Sequence, residues 1–273
     1  MDTTEIELEL FIQAIYMKFQ YDFRQYSRAS LRRRIELALV RYHCKNITEL
    51  QAKTLHEPNF FTGLIAYLTV NTTEMFRDPT YFLSLREKVI PYLQTFPSIK
   101  IWIAGCSTGE EVFSMAIMLR ELGISKYLIY ATDINPMNLE KAQNGIYDID
   151  LIQKASKNYQ LAGGNSSLSD YYSAAYNSVQ FDKKLLKNVI FADHSLATDS
   201  IFSENHLISC RNVLIYFDRE LQDRALHLFD DSLVRGGFLG LGNKETIQFS
   251  GIANKFTVLD LPNRIYQKTE GEV

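Results

Sequence analysis

Residues 100–119, KIWIAGCSTGEEVFSMAIML, decide how the rest of the chain is read. The apolar run Ile101-Trp102-Ile103-Ala104 ends in the turn Gly105-Cys106-Ser107-Thr108-Gly109. The chain then passes through Glu110 and Glu111 into residues with helical spacing. A buried strand, a glycine turn and a helix start in this order make a nucleotide-type site, and such helix starts usually meet phosphate. Two carboxylates at that place are therefore unusual.

The next apolar run, KYLIYATDI, is a second strand ending in Asp133, where an acid can accept hydrogen bonds from ribose hydroxyls. NAD sites and S-adenosylmethionine sites share that feature. The glutamates separate them. A dinucleotide brings a doubly negative pyrophosphate to the helix start, whereas S-adenosylmethionine brings a sulfonium and an ammonium. On this reading the methyl donor is the better guest, although acids at a helix start can also serve only to complement the helix dipole. Cys106 is read as a small residue filling the turn.

Strand–helix–strand alternation of this length implies a right-handed βαβ unit in a parallel sheet. Later apolar runs continue it: NVIFADHSL, NHLISCRNVLIYF and GGFLGLGNKE. Between the last two, LQDRALHLFDDSL is helical by the spacing of Leu221, Ala225, Leu228 and Leu233. The expected architecture is an open α/β sheet with ligands at the carboxyl ends of its strands. Residues of about 148–188 break the alternation with a glycine turn and tyrosine-rich runs, and are expected to form a small insertion of antiparallel strands. Residues 1–70 read as all-helical, with Leu31, Ile35 and Leu39 on one face and no glycine before Gly63. A linker and connecting helix occupy 71–97, with Asp78 as N-cap, Pro79 at the first helical position, and Phe82, Leu85 and Val89 on one face. The catalytic unit is expected over 98–273.

Composition supports a folded protein: 46% of the 273 residues are hydrophobic and 12% aromatic. A net charge of −3 gives no global pull towards nucleic acid, and no apolar run approaches the ~20 residues that span a bilayer. The acidic start MDTTEIELELFIQAI is unlike a signal peptide. Three scattered cysteines, Cys44, Cys106 and Cys210, argue against a disulfide framework and against a zinc site. A cytoplasmic protein with no metal and no direct membrane insertion is expected.

Three motifs resemble the CheR family of chemotaxis-type protein-glutamate O-methyltransferases: VNTTEMFRD (70–78), AGCSTGEEVFSMAI (104–117) and CRNVLIYFD (210–218). SRASLRRRI (27–35) agrees as well. The resemblance implies an S-adenosylmethionine-dependent methyltransferase sheet of Rossmann-like type, an N-terminal all-helical domain and a small inserted β-subdomain. It also implies roles. Asn71 and Thr73 would contact the cofactor, Arg77 would lie beside both the cofactor and the transferred methyl, and Glu110 or Glu111 would sit near the methionine part. Asp133 would bind ribose, Arg211 and Asn212 would contact the cofactor, and Tyr216 would face the active site. The family often has F-x-x-x-N-L where this chain has FADHSL, so Ser195 stands for the asparagine and Leu196 is kept. His206 sits where an acid is common, and GNKETI (242–247) replaces a GHSE-like stretch.

The implied reaction forms glutamate methyl esters on a chemoreceptor-type protein, in chemosensory adaptation, and leaves S-adenosyl-L-homocysteine. A glutamate carboxylate, with a pKa of about 4.3, is already ionised at neutral pH and needs placement rather than a base. Arg77 and Tyr216 are the expected placing residues. Arg24, Arg28 and Arg32, spaced i, i+4, i+8, with Arg33, Arg34 and Arg41 nearby, would give a basic helix face that docks the receptor's glutamate-rich cytoplasmic helices. Nucleic acid is not the expected partner of that face. A non-catalytic S-adenosylmethionine-binding signalling module, an NAD-dependent oxidoreductase and a small-molecule methyltransferase are the alternatives.

Overall fold

The computed structural model describes residues 2–71 and 73–269; Met1, residue 72 and residues 270–273, which fall within the three expected ranges, lie outside it. The chain opens with four helices: α1 (Thr3–Phe19), α2 (Arg28–Arg41), α3 (Ile47–His56) and α4 (Phe60–Leu68). Asp2 and Asn46 cap α1 and α3, each carboxyl or amide oxygen accepting from the third backbone N–H of its helix. Their shared core includes Phe11, Ile15, Phe23, Leu31, Ile35 and Leu64. The stripe expected on α2 holds at Leu31 and Ile35. Its third buried position is Ala38, with Leu39 half-buried at the rim, because 3.6 residues per turn carries i+8 off the face.

Arg24 does not belong to the α2 face. The helix begins only at Arg28, since residues 25–27 run extended alongside residues 216–218: Ser27 N–H donates to the Tyr216 carbonyl (2.8 Å) and Asp218 N–H to the Gln25 carbonyl (2.9 Å). Arg24 instead pairs with Asp22 at 2.8 Å and lies 3.8 Å from the Tyr16 ring centroid.

The connecting helix runs as α5 (Pro79–Ser84), a π-helical turn at Leu85–Val89, and α6 (Ile90–Leu93). Pro91 lies two residues past the end of the wide turn; it has no N–H, and its ring would crowd the carbonyl four residues back in a regular α-helix. Phe82, Leu85 and Val89 are all buried. Asp78 occupies the N-cap position in a left-handed conformation but makes no side-chain cap. Its carboxylate is taken by Arg211 at 2.7 Å.

Next come β1 (Ile99–Ala104), α7 (Glu110–Glu121), β2 (Tyr127–Asp133), α8 (Pro136–Asn144), β3 (Ile146–Asp148), α9 (Ile149–Leu161), β4 (Tyr172–Ala175), β5 (Ser178–Phe181) and β6 (Val189–Asp193). They are followed by β7 (Asn205–Cys210), α10 (Arg219–Ser232), β8 (Leu233–Leu241), β9 (Phe256–Asp260) and β10 (Ile265–Lys268). The main sheet has the order β6-β2-β1-β7-β8-β10-β9. Pairings from β6 through β8 are parallel; β10 and β9 add antiparallel. The fold is thus an α/β methyltransferase-type sheet. Leu233 belongs to β8 rather than to the preceding helix, because the chain turns straight from helix to strand there.

The irregular stretch holds antiparallel strands, β5 pairing with both β3 and β4. It also holds a 13-residue helix, α9, whose Ile152, Ala155 and Tyr159 are buried, so it is not all β. Spacings of 3 and 4 residues there did carry a helical signal. From β1 the chain steps outward to β2 and β6, then returns to the other side of β1 for β7. That reversal opens a crevice beyond the carboxyl ends of β1 and β7, where ligands of open α/β sheets bind.

Candidate functional site

A cavity of about 990 Å³, counting its open mouth, lies at this reversal. Its floor is the ends of four neighbouring strands: His194 and Leu196 after β6, Asp133 and Ile134 at β2, Gly105–Ser107 after β1, and Arg211–Val213 after β7. The helical head closes the top with Tyr26, Ser30, Leu31 and Leu68, and the linker adds Asn71, Thr73 and Arg77.

The glycine turn is required by space as well as by conformation. A Cβ on Gly105 (φ +71°) would stand 2.5 Å from a Val213 methyl, and one on Gly109 (φ +95°) 2.6 Å from the Ala142 Cβ. The turn therefore presses the sheet against the loop after β7 and against α8. Asp133 accepts from Ser107 N–H (2.8 Å), Asn135 N–H (2.9 Å) and the Asn138 amide (3.1 Å), with only the first on Oδ2. Burial pushes its carboxyl up, opposed by those hydrogen bonds. Asn138 also donates to Asn71 Oδ1 at 2.9 Å, tying the linker to the ribose-type acid.

The two glutamates part company. Glu110 is buried, receives the Thr108 hydroxyl at 2.7–2.9 Å, and is absent from the cavity wall; burial pushes its carboxyl up. Glu111 faces the cavity, accepting from Ser209 Oγ (2.6 Å) and Arg211 Nη1 (3.1 Å). So one negative charge, not two, meets the ligand, and Arg211 partly offsets it. Successive helix residues are about 100° apart, so two adjacent side chains cannot both point at one target.

Arg211 lines the cavity and does more besides. Its side chain is 1% exposed and donates to Glu111, to Asp78 and to the Arg77 carbonyl (2.9 Å), over the Tyr81 ring. It joins the cavity wall mainly as the clamp between the linker, α7 and β7. Asn212 stands in the left-handed region at φ +60°, its N–H held by Glu245 at 2.9 Å. Tyr216 is half-buried; burial pushes its hydroxyl pKa up while the charges of Arg34 and Arg77 pull it down. Ser195 is not on the wall, and its hydroxyl accepts from Ala197 N–H within a local turn. Leu196 is on the wall.

The docking arginines do not form one free basic face. Arg28 pairs with Glu9 (2.5 Å) and Arg32 with Glu36 (3.4 Å), both exposed and worth little. Arg33 is exposed, with no ion pair among the described residues.

Several site residues lay outside sequence reasoning. Glu245 accepts N–H groups from Gly242 (2.6 Å), Asn212 (2.9 Å) and Ile215 (3.3 Å), so one buried carboxylate shapes the loop that carries Tyr216. It ends G-N-K-E, the motif in which only the departures from GHSE drew notice. Asn138 and His194 carried no signal by spacing; both are placed by strand ends brought together only in the fold.

Four buried polar atoms on the cavity's own residues have no partner among the described residues: Ser107 Oγ, His194 Nδ1, Arg211 Nε and Asn212 Oδ1. Buried polar groups are normally satisfied, so the cavity is built for a polar ligand. Acceptors at Asp133 suit a ribose diol and Glu111 suits a cationic methionine end, which fits S-adenosylmethionine.

Comparison with known proteins agrees. Residues 71–265 match the model of the CheR methyltransferase S-adenosylmethionine-binding domain, and residues 6–69 that of the CheR methyltransferase all-alpha domain. The chain is 54% identical over 267 residues to Cher3 of Pseudomonas putida, covering 97% of this chain and 98% of that one. It is 30% identical over 240 residues to a chemotaxis protein methyltransferase of Listeria monocytogenes (87% and 88% covered). A chemotaxis protein methyltransferase of Borreliella burgdorferi is 29% identical over 266 residues (91% and 90%). The chain belongs to the CheR methyltransferase family and is an enzyme that uses S-adenosylmethionine.

Proposed function

We propose that the protein methylates glutamate side-chain carboxylates of a chemoreceptor-type protein, in chemosensory adaptation. The observation that carries this reading is the placement of Arg77 and Tyr216 together on the cavity wall, with Arg34 near enough to act on Tyr216. The charges of Arg34 from the helical head and of Arg77 pull the Tyr216 hydroxyl pKa down against its burial. A wall of that kind receives an anion. Bound S-adenosylmethionine supplies a methyl group made electrophilic by its sulfonium. The chain's own residues place the acceptor: a carboxylate is already ionised, so Arg77 and Tyr216 orient it without removing a proton. Too tight an ion pair would blunt the nucleophile, which favours orientation over activation. Relatives named as chemotaxis protein methyltransferases support the pathway. No helix among the described residues is long and apolar enough to cross a membrane, and a cytoplasmic site of action fits the reading.

Transfer of labelled methyl from S-adenosylmethionine to receptor cytoplasmic fragments should give base-labile label on glutamate. Arg77→Ala and Tyr216→Phe should each lower kcat/KM by about 10- to 100-fold, as the loss of one or two placing contacts would. Label that resists base, or unchanged kinetics in both variants, would refute the assignment.

Substrate docking rests on fewer arginines than the spacing of Arg24, Arg28, Arg32 and Arg33 promised. Arg33 is the exposed one without an internal acid, and Arg28 and Arg32 must exchange their partners to bind. Arg33→Glu should raise KM for receptor fragments severalfold, more at low salt than at ~0.5 M, where the Debye length is only a few ångströms. A KM unchanged at low salt would remove Arg33 from the docking surface.

A further inference from the structure

The turn after β6 holds a polar group that neither the reaction nor the motifs account for. His194 is 8% exposed, lines the cavity, and packs edge-on against Trp102 and Phe202. Its Nε2 lies 3.3 Å from the Ser200 carbonyl. A carbonyl can only accept, so that contact assigns the proton to Nε2 and leaves Nδ1 as an acceptor. Nδ1 is buried and has no partner among the described residues.

The order of strands says which part of the cofactor reaches it. Asp133 ends β2, and the glycine turn with Glu111 follows β1 on one side of β2. If ribose lies at Asp133 and the methionine end at Glu111, the adenine extends to the opposite side, where β6 is the neighbour. Ile134 and Leu196 line that end and offer apolar surfaces to a flat base. Adenine has one hydrogen-bond donor on its base edge, the exocyclic 6-amino group; its ring nitrogens accept. Ser195 does not line the cavity; its hydroxyl accepts from Ala197 N–H within its own turn.

We propose that His194 is a specificity residue of the cofactor site, its Nδ1 accepting a hydrogen bond from the adenine 6-amino group. The inference rests on cofactor binding and not on the identity of the methyl acceptor. It makes the protein a reader of the amino group itself. A 6-oxo purine would set an acceptor against an acceptor.

The test is equilibrium binding, measured by calorimetry on the full chain without methyl acceptor, using S-adenosyl-L-homocysteine and its 6-oxo analogue S-inosyl-L-homocysteine. The unaltered protein should prefer the adenosyl compound by about tenfold or more, the scale of one buried hydrogen bond exchanged for a repulsive contact. His194→Phe keeps a ring against Trp102 and Phe202 but removes the acceptor. It should weaken adenosyl binding by about tenfold and leave inosyl binding nearly unchanged. His194→Asn, whose amide oxygen can stand near the Nδ1 position, should retain much of the preference. If the unaltered protein shows no preference, the proposal falls, whether or not the variants fold. It falls equally if His194→Phe keeps the full preference, since some other group then reads the amine.

Discussion

Arg211→Met should destabilise the protein by about 3–5 kcal/mol, the usual cost of removing one partner from a buried ionic cluster. The side chain is 1% exposed and is the one cation that Glu111, Asp78 and the Arg77 carbonyl share in the ion pairs and hydrogen bonds given above. Methionine fills similar volume but leaves two carboxylates facing each other across the β7 end. The same change frees the linker segment that carries Arg77, so cofactor affinity and turnover should fall along with stability. Arg211→Lys should land between, because an ammonium on a flexible stem cannot hold three acceptors in a planar fork. Urea denaturation at fixed pH measures the loss. A change below about 1 kcal/mol would place Arg211 among ordinary surface pairs instead.

The second large effect is expected far from the cavity. Glu121, at the carboxyl end of α7, accepts from Arg86 in the π turn, from the Tyr159 hydroxyl of α9, from the Tyr171 hydroxyl (3.0 Å) and from Asn165 N–H (3.2 Å). The Arg86 and Glu121 side chains are 6% and 4% exposed. One carboxylate thus fastens the connecting helix, α9 and the segment leading into β4 to α7. Glu121→Leu strands the Arg86 guanidinium, two of whose nitrogens already lack partners, and should cost about 3–5 kcal/mol. Amide exchange should rise most over α9, β4 and β5, with β1 and β7 little affected.

The pH dependence has a definite sign. Burial pushes the Glu121 carboxyl up, but the hydrogen bonds from Tyr159 and Arg86 outweigh it and hold the carboxyl below its ordinary value. Its contribution is therefore fully present above the unfolded pKa, about 4.3, and is lost as pH falls through the lower folded value. Stability of the unaltered protein should drop on acidification below about pH 4.3 more steeply than that of Glu121→Leu. Parallel curves would show that Glu121 does not carry this acid sensitivity.

Much of the fold was legible because its signals are local. The run 101–104 and its glycine turn needed only neighbouring residues to define a strand end and a helix start, and α2, α7 and α10 announced themselves by apolar spacing. α9 was passed over because tyrosines and glycines around it resembled strand and turn composition. The last strands β9 and β10 are short and lack strict alternation; pairing defines them, β10 against β8 and the edge strand β9 against β10. At the site, Asp133, Asn71, Thr73, Arg77, Glu111, Leu196, Arg211, Asn212 and Tyr216 all line the cavity. Ser195 does not; its hydroxyl lies in a local turn, accepting from Ala197 N–H.

By itself the sequence determined most of the elements, the α/β class with its helical head, the family, and the positively charged methyl donor. Each follows from residue order within a turn or a strand. Tertiary structure alone decided which glutamate faces the cavity, that Arg24 leaves the basic face, that Arg211 clamps the linker as well as lining the cavity, and that His194 and Glu245 belong to the site. Several of those outcomes depend on hydrogen-bond partners more than 30 residues away along the chain, such as Glu111 with Arg211 and Asn212 with Glu245. Competition for such partners is settled only when the strands have packed, because a buried polar group takes whichever partner the fold leaves within about 3 Å.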